Sequence, residues 1–157
     1  MPNPSPQPEG RGEALLALAG RIERGEIKAL SIKQPYPHNI FHDGKDVENR
    51  DWPTKGRGWF IVHAGVSKSE CAPSEYDLPR GGVVGIARIV DCVTEMESDW
   101  FFGRYGFVLN DATPLPLIPC KGQLGFFRLD TATNAAVAAA LRALATQEIG
   151  ASKEREG

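Results

Sequence analysis

The sequence has little cysteine, no long apolar run and no surplus of positive charge, and each shortage closes a class of function. Only three cysteines occur, Cys71, Cys92 and Cys120. An odd number at wide intervals matches neither a disulfide framework nor the paired spacing of a zinc site, which predicts ordinary thiols in a reducing, cytoplasmic setting. No stretch approaches the roughly 18–20 apolar residues of a membrane helix, so no membrane partner is expected. The opening MPNPSPQPEG has no basic start and no apolar run behind it. It reads as a disordered, proline-rich leader over residues 1–11 and not as a secretory signal. Eighteen lysines and arginines stand against twenty aspartates and glutamates, a formal net charge of -2, so no global field draws in a long nucleic acid.

What is present is enough for a core. The chain has 157 residues, of which 41% are hydrophobic and 24% charged, the composition of one globular domain, expected over residues 12–147 with a flexible charged tail over 148–157. Leu15, Leu18, Ala19 and Ile22 recur at helical spacing, and Gly25 supplies a stop. Short apolar or β-branched runs predict strands near 29–32, 58–64, 82–94, 105–110 and 123–129, with DVENR extended between them. A short helix is expected around 38–42, and a proline-restricted edge segment over PLPLIPC. Gly81, Gly82 and Gly85 fall where a barrel strand has to bend or pass close to another backbone. Thr131 or Thr133 is expected to cap a closing helix over 131–147 that carries Val137, Leu141 and Leu144 on one face. The sum is an α+β fold, a small β-barrel of mixed and antiparallel strands with a helix at each end.

Charge is distributed unevenly. Residues 28–57 hold six basic side chains against four acidic ones, a surplus suited to gripping one or a few phosphates. Within that stretch, KDVENR is the first candidate site. In an extended segment Glu48 and Arg50 share one face and Asn49 takes the other. A carboxylate two residues from a guanidinium can then fix its fork for a phosphate or a base edge, and Lys45 adds a mobile positive charge at the mouth of the preceding turn. The plain alternative is a solvated strand with surface charges. Ser31, Lys33 and Gln34 precede the Pro35 turn, where they either meet the KDVENR strand or cap the helix that follows. His63 ends the strand WFIVHA, either as an acid–base or ligand-contacting group or as a hydrogen-bonded structural residue. Trp52, in a polar loop between Arg50 and Lys55, offers a stacking face, while Trp100, Phe102, Tyr105 and Phe107 are mostly assigned to the core. His38 and His42 lie four apart, but no third ligand follows in frame, so no metal site is assigned.

The order of blocks SIKQPYPHNIF-x-x-GKDVENR, DWPTKGRGWFIVHAG, GGVVGIARIVDCV, SDWFFGRYGFVL and IPCKGQLGFF resembles the ASCH family of PUA-like β-barrels, over about residues 29–129. The family signature runs G-x-K-x-x-E-x-R, and Lys45, Glu48 and Arg50 fall on its last three positions. Asp43 stands where the signature has its glycine, and Gly44 comes one residue late. The resemblance implies a cleft lined by the signature residues that binds RNA, a nucleotide or a nucleoside, without a cofactor. One branch of the family deacetylates N4-acetylcytidine with a threonine at the glutamate position, and that nucleophile is replaced here by Glu48. The expectation is therefore a binding module in which Ser31, Lys33, Gln34, Lys45, Glu48, Arg50, Trp52, Lys55 and His63 contribute. A small hydrolase acting on RNA or a modified nucleoside through Lys45 and Glu48 is the rival.

Overall fold

Period-two alternation and corner glycines give the chain its strands, and a computed structural model describes residues 10–156, with side chains through residue 151. Most of the expected leader, residues 1–9, lies outside the described residues. The element order is α1 (Arg11–Glu23), β1 (Ala29–Ile32), α2 (Tyr36–His42), β2 (Val47–Arg50), β3 (Gly58–Ala64), β4 (Gly82–Val93), β5 (Tyr105–Pro119), β6 (Phe126–Phe127) and α3 (Thr131–Glu156). The protein is α+β, and it divides into two compact units, one spanning Ile27–Arg128 and one containing α1 and α3.

In the first unit six strands form one mixed sheet in the order β2-β5-β4-β3-β1-β6. β1 runs parallel to β3, with Ser31 beside His63, and the remaining pairs are antiparallel. Five inter-strand gaps of about 4.8 Å would hold the edge strands some 24 Å apart in a flat sheet. Yet Trp52, just past β2, meets Phe126 of β6 edge-on with ring centroids 5.8 Å apart. Arg50 of β2 also donates to the Ser31 carbonyl of β1 at 2.8 Å. The sheet is thus curled into a half-barrel, and side chains bridge the gap between its edges.

Leu30, Ile32, Phe60, Val62, Ala64, Phe107 and Leu109 form the interior of this half-barrel. Their alternation sends Ser31 and His63 to the opposite side of β1 and β3. Gly85 admits Phe41 of α2 and the Thr113 carbonyl where any Cβ would collide with both, and Gly82 does the same beneath the Ile118 carbonyl. These are the close approaches expected of the two glycines.

The expected strand 105–110 and the proline-rich segment after it are one continuous 15-residue strand, β5. Pro114 and Pro119 are tolerated because β2 pairs only with the first four residues of β5, so the rest of that edge needs no donor. The last strand is shorter than expected, two residues at Phe126–Phe127.

In the second unit α1 and α3 pack through Leu15, Leu18, Ala19 and Ile22 on one helix and Val137, Ala138, Leu141 and Ala145 on the other. Gly12 lies against Ile149 and Arg11 pairs with Glu148, so the helices run antiparallel and α3 continues past residue 147. The cap of α3 is Asp130 and neither threonine: its carboxylate accepts the Thr133 N–H at 2.7 Å, and that bond holds its pKa below the usual value. Among the described residues no helix is long and apolar enough to cross a membrane.

Candidate functional site

The site begins with the turn between α2 and β2. The residue in the place of the signature glycine, Asp43, has φ −119°, which any residue adopts, while Gly44 supplies the left-handed conformation at φ +73°. The Lys45 N–H then bonds the Asn39 carbonyl at 3.1 Å, which fixes the lysine at the entrance to β2. Next to it, Asp46 is occupied structurally, accepting from the Ser98 hydroxyl at 2.6 Å.

Alternation along β2 falls as expected. Asn49 takes the other face and binds the 100–102 loop at the cleft margin, donating to the Trp100 carbonyl and accepting from the Phe102 N–H. Glu48 and Arg50 share a face, and two of the three guanidinium nitrogens close on one carboxylate oxygen, Nε at 3.0 Å and Nη2 at 2.9 Å. Glu48 is 4% exposed. Burial raises its pKa against the opposing pull of Arg50 and Lys45.

Lys45 is not the mobile charge expected from sequence. It is 3% exposed, with its ammonium 5.1 Å from the Tyr36 ring centroid and 5.6 Å from that of Trp100. Burial lowers its pKa, while Glu48 and Asp46 oppose that shift. Among the described residues no carboxylate comes within ion-pair distance of this ammonium, and no hydrogen bond to it forms. Tyr36 is itself held by Glu70 at 3.1 Å, and burial followed by that bond raises its phenol pKa.

These groups line an open cleft of about 1200 Å³. Ser31, Lys33, Lys45, Glu48, Arg50, Trp52 and His63 all reach it. Trp52 does so with part of its surface only, because its ring packs edge-on against Phe107 and Phe126 and carries the Arg50 guanidinium 5.8 Å from its centroid. Lys33 sits at the exposed margin, bonded to Ser69. Two expected residues are elsewhere. Gln34 is 2% exposed, and its amide is spent on the Pro79 carbonyl and the His38 N–H, the helix-capping alternative. Lys55 stands exposed on the 54–57 loop, which Arg57 folds by donating to the Thr54 and Gly56 carbonyls, and it does not line the cleft.

Several wall residues were not legible as site residues. Tyr36 lies between two prolines directly after the SIKQ strand, a placement that marks a fixed aromatic. Glu70 has no local signal, being one carboxylate in a polar loop. Phe102, 60% exposed, is a rim residue and not part of the core, and Val66 and Leu124 are further exposed residues of the cleft lining. Among the described residues no three His, Cys, Asp or Glu side chains are grouped to hold a metal. No known family's sequence model matches the chain, and no curated protein matches it.

Proposed function

We propose that this cleft binds a nucleotide or a short single-stranded RNA segment, in keeping with the resemblance to ASCH-type barrels. The observation that carries the reading is the Lys45 ammonium, held between two rings at the wall of an open cleft with no hydrogen bond or ion pair to the protein, so that its remaining surface faces the cleft. A largely desolvated charge of this kind keeps donors free for whatever enters the cleft, and a phosphate oxygen is a fitting partner. Arg50 adds a second cation whose fork Glu48 holds in place. Tyr36 presents ring surface beside Lys45, and the exposed Phe102 adds another at the cleft rim, as base stacking requires. Two cations match the chain's modest local surplus and favour a short ligand over an extended one.

A hydrolytic reading of the same cleft has one observation behind it. Burial moves both Lys45 and Glu48 toward their neutral forms, the direction in which an amine becomes a base and a carboxyl an acid. Fluorescence anisotropy with labelled single-stranded tetranucleotides, together with product analysis of the same mixtures, separates the two. Binding without product is the expected result. Steady turnover that disappears in Glu48→Gln while binding persists would replace the binding module with an enzyme.

A further inference from the structure

Ser31 and His63 sit side by side in the parallel register of β1 and β3, and their side chains are joined: Ser31 Oγ lies 3.0 Å from His63 Nδ1. The other ring nitrogen, Nε2, is 2.9 Å from the Cys120 carbonyl oxygen. A carbonyl only accepts, so Nε2 carries the hydrogen, and in the neutral ring Nδ1 is left with a lone pair facing the serine hydroxyl. The Cys120 carbonyl is fixed in turn, since the Cys120 N–H bonds Gly81 at 3.1 Å and Gly81 bonds Ala64, the neighbour of His63, at 2.8 Å. Opposite Val62 and His63 the partner strand β4 carries one extra residue, Val84, a bulge that falls beside the histidine. His63 is 1% exposed in total, yet both it and Ser31 contribute to the cleft wall.

Two glycines shape the space at this pair. A Cβ on Gly122 would stand 2.7 Å from the His63 ring and 2.9 Å from Ser31 Oγ, and one on Gly65 would stand 3.3 Å from the same oxygen. Arg50 brings a guanidinium to the Ser31 carbonyl at 2.8 Å. The rim carries the exposed apolar side chains Val66, Phe102 and Leu124.

From this geometry we infer that Ser31 is an acyl-accepting nucleophile with His63 as its base. The substrate class is an ester of a short apolar acyl group with an anionic leaving group. Ser31 Oγ attacks the ester carbonyl carbon while its proton passes to His63 Nδ1. Collapse of the tetrahedral adduct breaks the carbon–oxygen bond to the leaving group, which takes the proton from Nδ1 or departs as the anion while Nδ1 releases that proton to solvent, so that the ring is neutral again. Water then attacks the acyl-serine carbonyl, gives a proton to Nδ1, and releases the carboxylic acid as Ser31 recovers its hydrogen. Cys120 acts through its backbone as a positioning group, fixing the tautomer. The apolar rim receives the acyl group, and Lys45 and Arg50 face the negative charge. The inference rests on the same cleft as the proposed ligand site but not on RNA being its ligand.

The test treats the full chain with a fluorophosphonate probe and with 4-nitrophenyl butyrate, following adducts by intact mass and peptide mapping. The expected result is one phosphonyl adduct, on Ser31, and a nitrophenolate burst of one equivalent per chain. Ser31→Ala should abolish both, and His63→Gln should slow adduct formation by at least about 100-fold with its thermal transition retained. If His63→Gln does not fold, Gly122→Ala serves instead, because its methyl occupies the space at Oγ and should slow labelling by at least about 10-fold. Absence of a Ser31 adduct on folded wild-type protein, or adducts only on Lys45 or Tyr36, would overturn the inference. Tetranucleotide binding is measured on the same wild-type sample. Labelling without RNA binding sinks the proposed ligand and leaves the dyad standing, and RNA binding without labelling does the reverse.

Discussion

Replacing Lys45 with methionine should make the free protein more stable and its cleft nearly useless for an anion. The side chain stays unbranched, only one atom shorter, and can keep apolar contact with Tyr36 and Trp100, so the change mainly removes the charge. A buried polar group left without a hydrogen bond costs about 1–3 kcal/mol. The two ring contacts offset part of that, at about 0.5–1 kcal/mol each. The net relief is about 0.5 kcal/mol, which for a chain of this size is a rise of about 1–2 °C in Tm. The sign with pH follows from the lowered pKa of Lys45. The folded state holds this proton less tightly than the unfolded chain, so the penalty is full below the folded pKa. It fades as pH rises from there towards the ordinary lysine value of 10.5. The Tm advantage of Lys45→Met should therefore be largest near neutrality and shrink in alkaline buffer. Binding moves the other way, with a loss of about 1.5–3 kcal/mol for one charge-assisted contact, about 10- to 150-fold in Kd. Calorimetric melts at several pH values, paired with anisotropy titrations, check both halves. A methionine variant that melts lower than wild type and binds as well would refute the reasoning, because Lys45 would then be a structural cation.

Glu48→Gln should change the pH profile of stability. The raised pKa of Glu48 means that its burial penalty is present once it ionises above the folded pKa and is gone below the ordinary value of 4.5. Wild-type protein should accordingly gain stability relative to Glu48→Gln as the pH falls towards 4.5, measured by urea midpoints in parallel buffers. RNA affinity should fall with salt along a shallow slope of about −1.4 in log K against log salt, the value for two neutralised phosphates on a single strand, and Lys45→Met should reduce that slope by about half. A slope as steep as five or more would show that the ligand lies on another surface. In the helical unit, Gly12→Ala places a methyl 2.5 Å from an Ile149 side-chain carbon and should cost about 1–3 kcal/mol through overpacking. The double variant with Ile149→Ala should recover most of that loss in chemical denaturation.

The parts of this protein written in local pattern were legible in its sequence. β1, β3 and β4 announce themselves by short β-branched runs, and the alternation of KDVENR puts Glu48 and Arg50 on one face before any coordinates are known. Gly82 and Gly85 could be read as close approaches because no side chain fits there. Properties set by distant segments could not be read. Lys45 looks like a surface charge in a polar hexapeptide, and only the arrival of Tyr36 from α2 and Trp100 from the β4–β5 connection buries it. Gln34 looks like a ligand group beside the signature, but the Pro79 carbonyl, 45 residues away, claims its amide. The partnership of Ser31 with His63 depends on the parallel pairing of β1 with β3, which leaves no local trace. The need for aromatic bulk in the core does not tell which of the aromatics supply it, and Phe102, in the β4–β5 connection, stands at the rim.

The most direct test of the central claim is a residue-resolved titration of the 15N-labelled protein with an unlabelled single-stranded tetranucleotide, with the Lys45 ammonium followed by 15N-detected spectra. Saturable shifts confined to the cleft are predicted, at Ser31, Tyr36, Glu48, Arg50 and Phe102. The Lys45 ammonium should become protected from solvent exchange as a phosphate oxygen completes its shell. Shifts centred on another surface, with the Lys45 ammonium unchanged at saturation, would contradict the account.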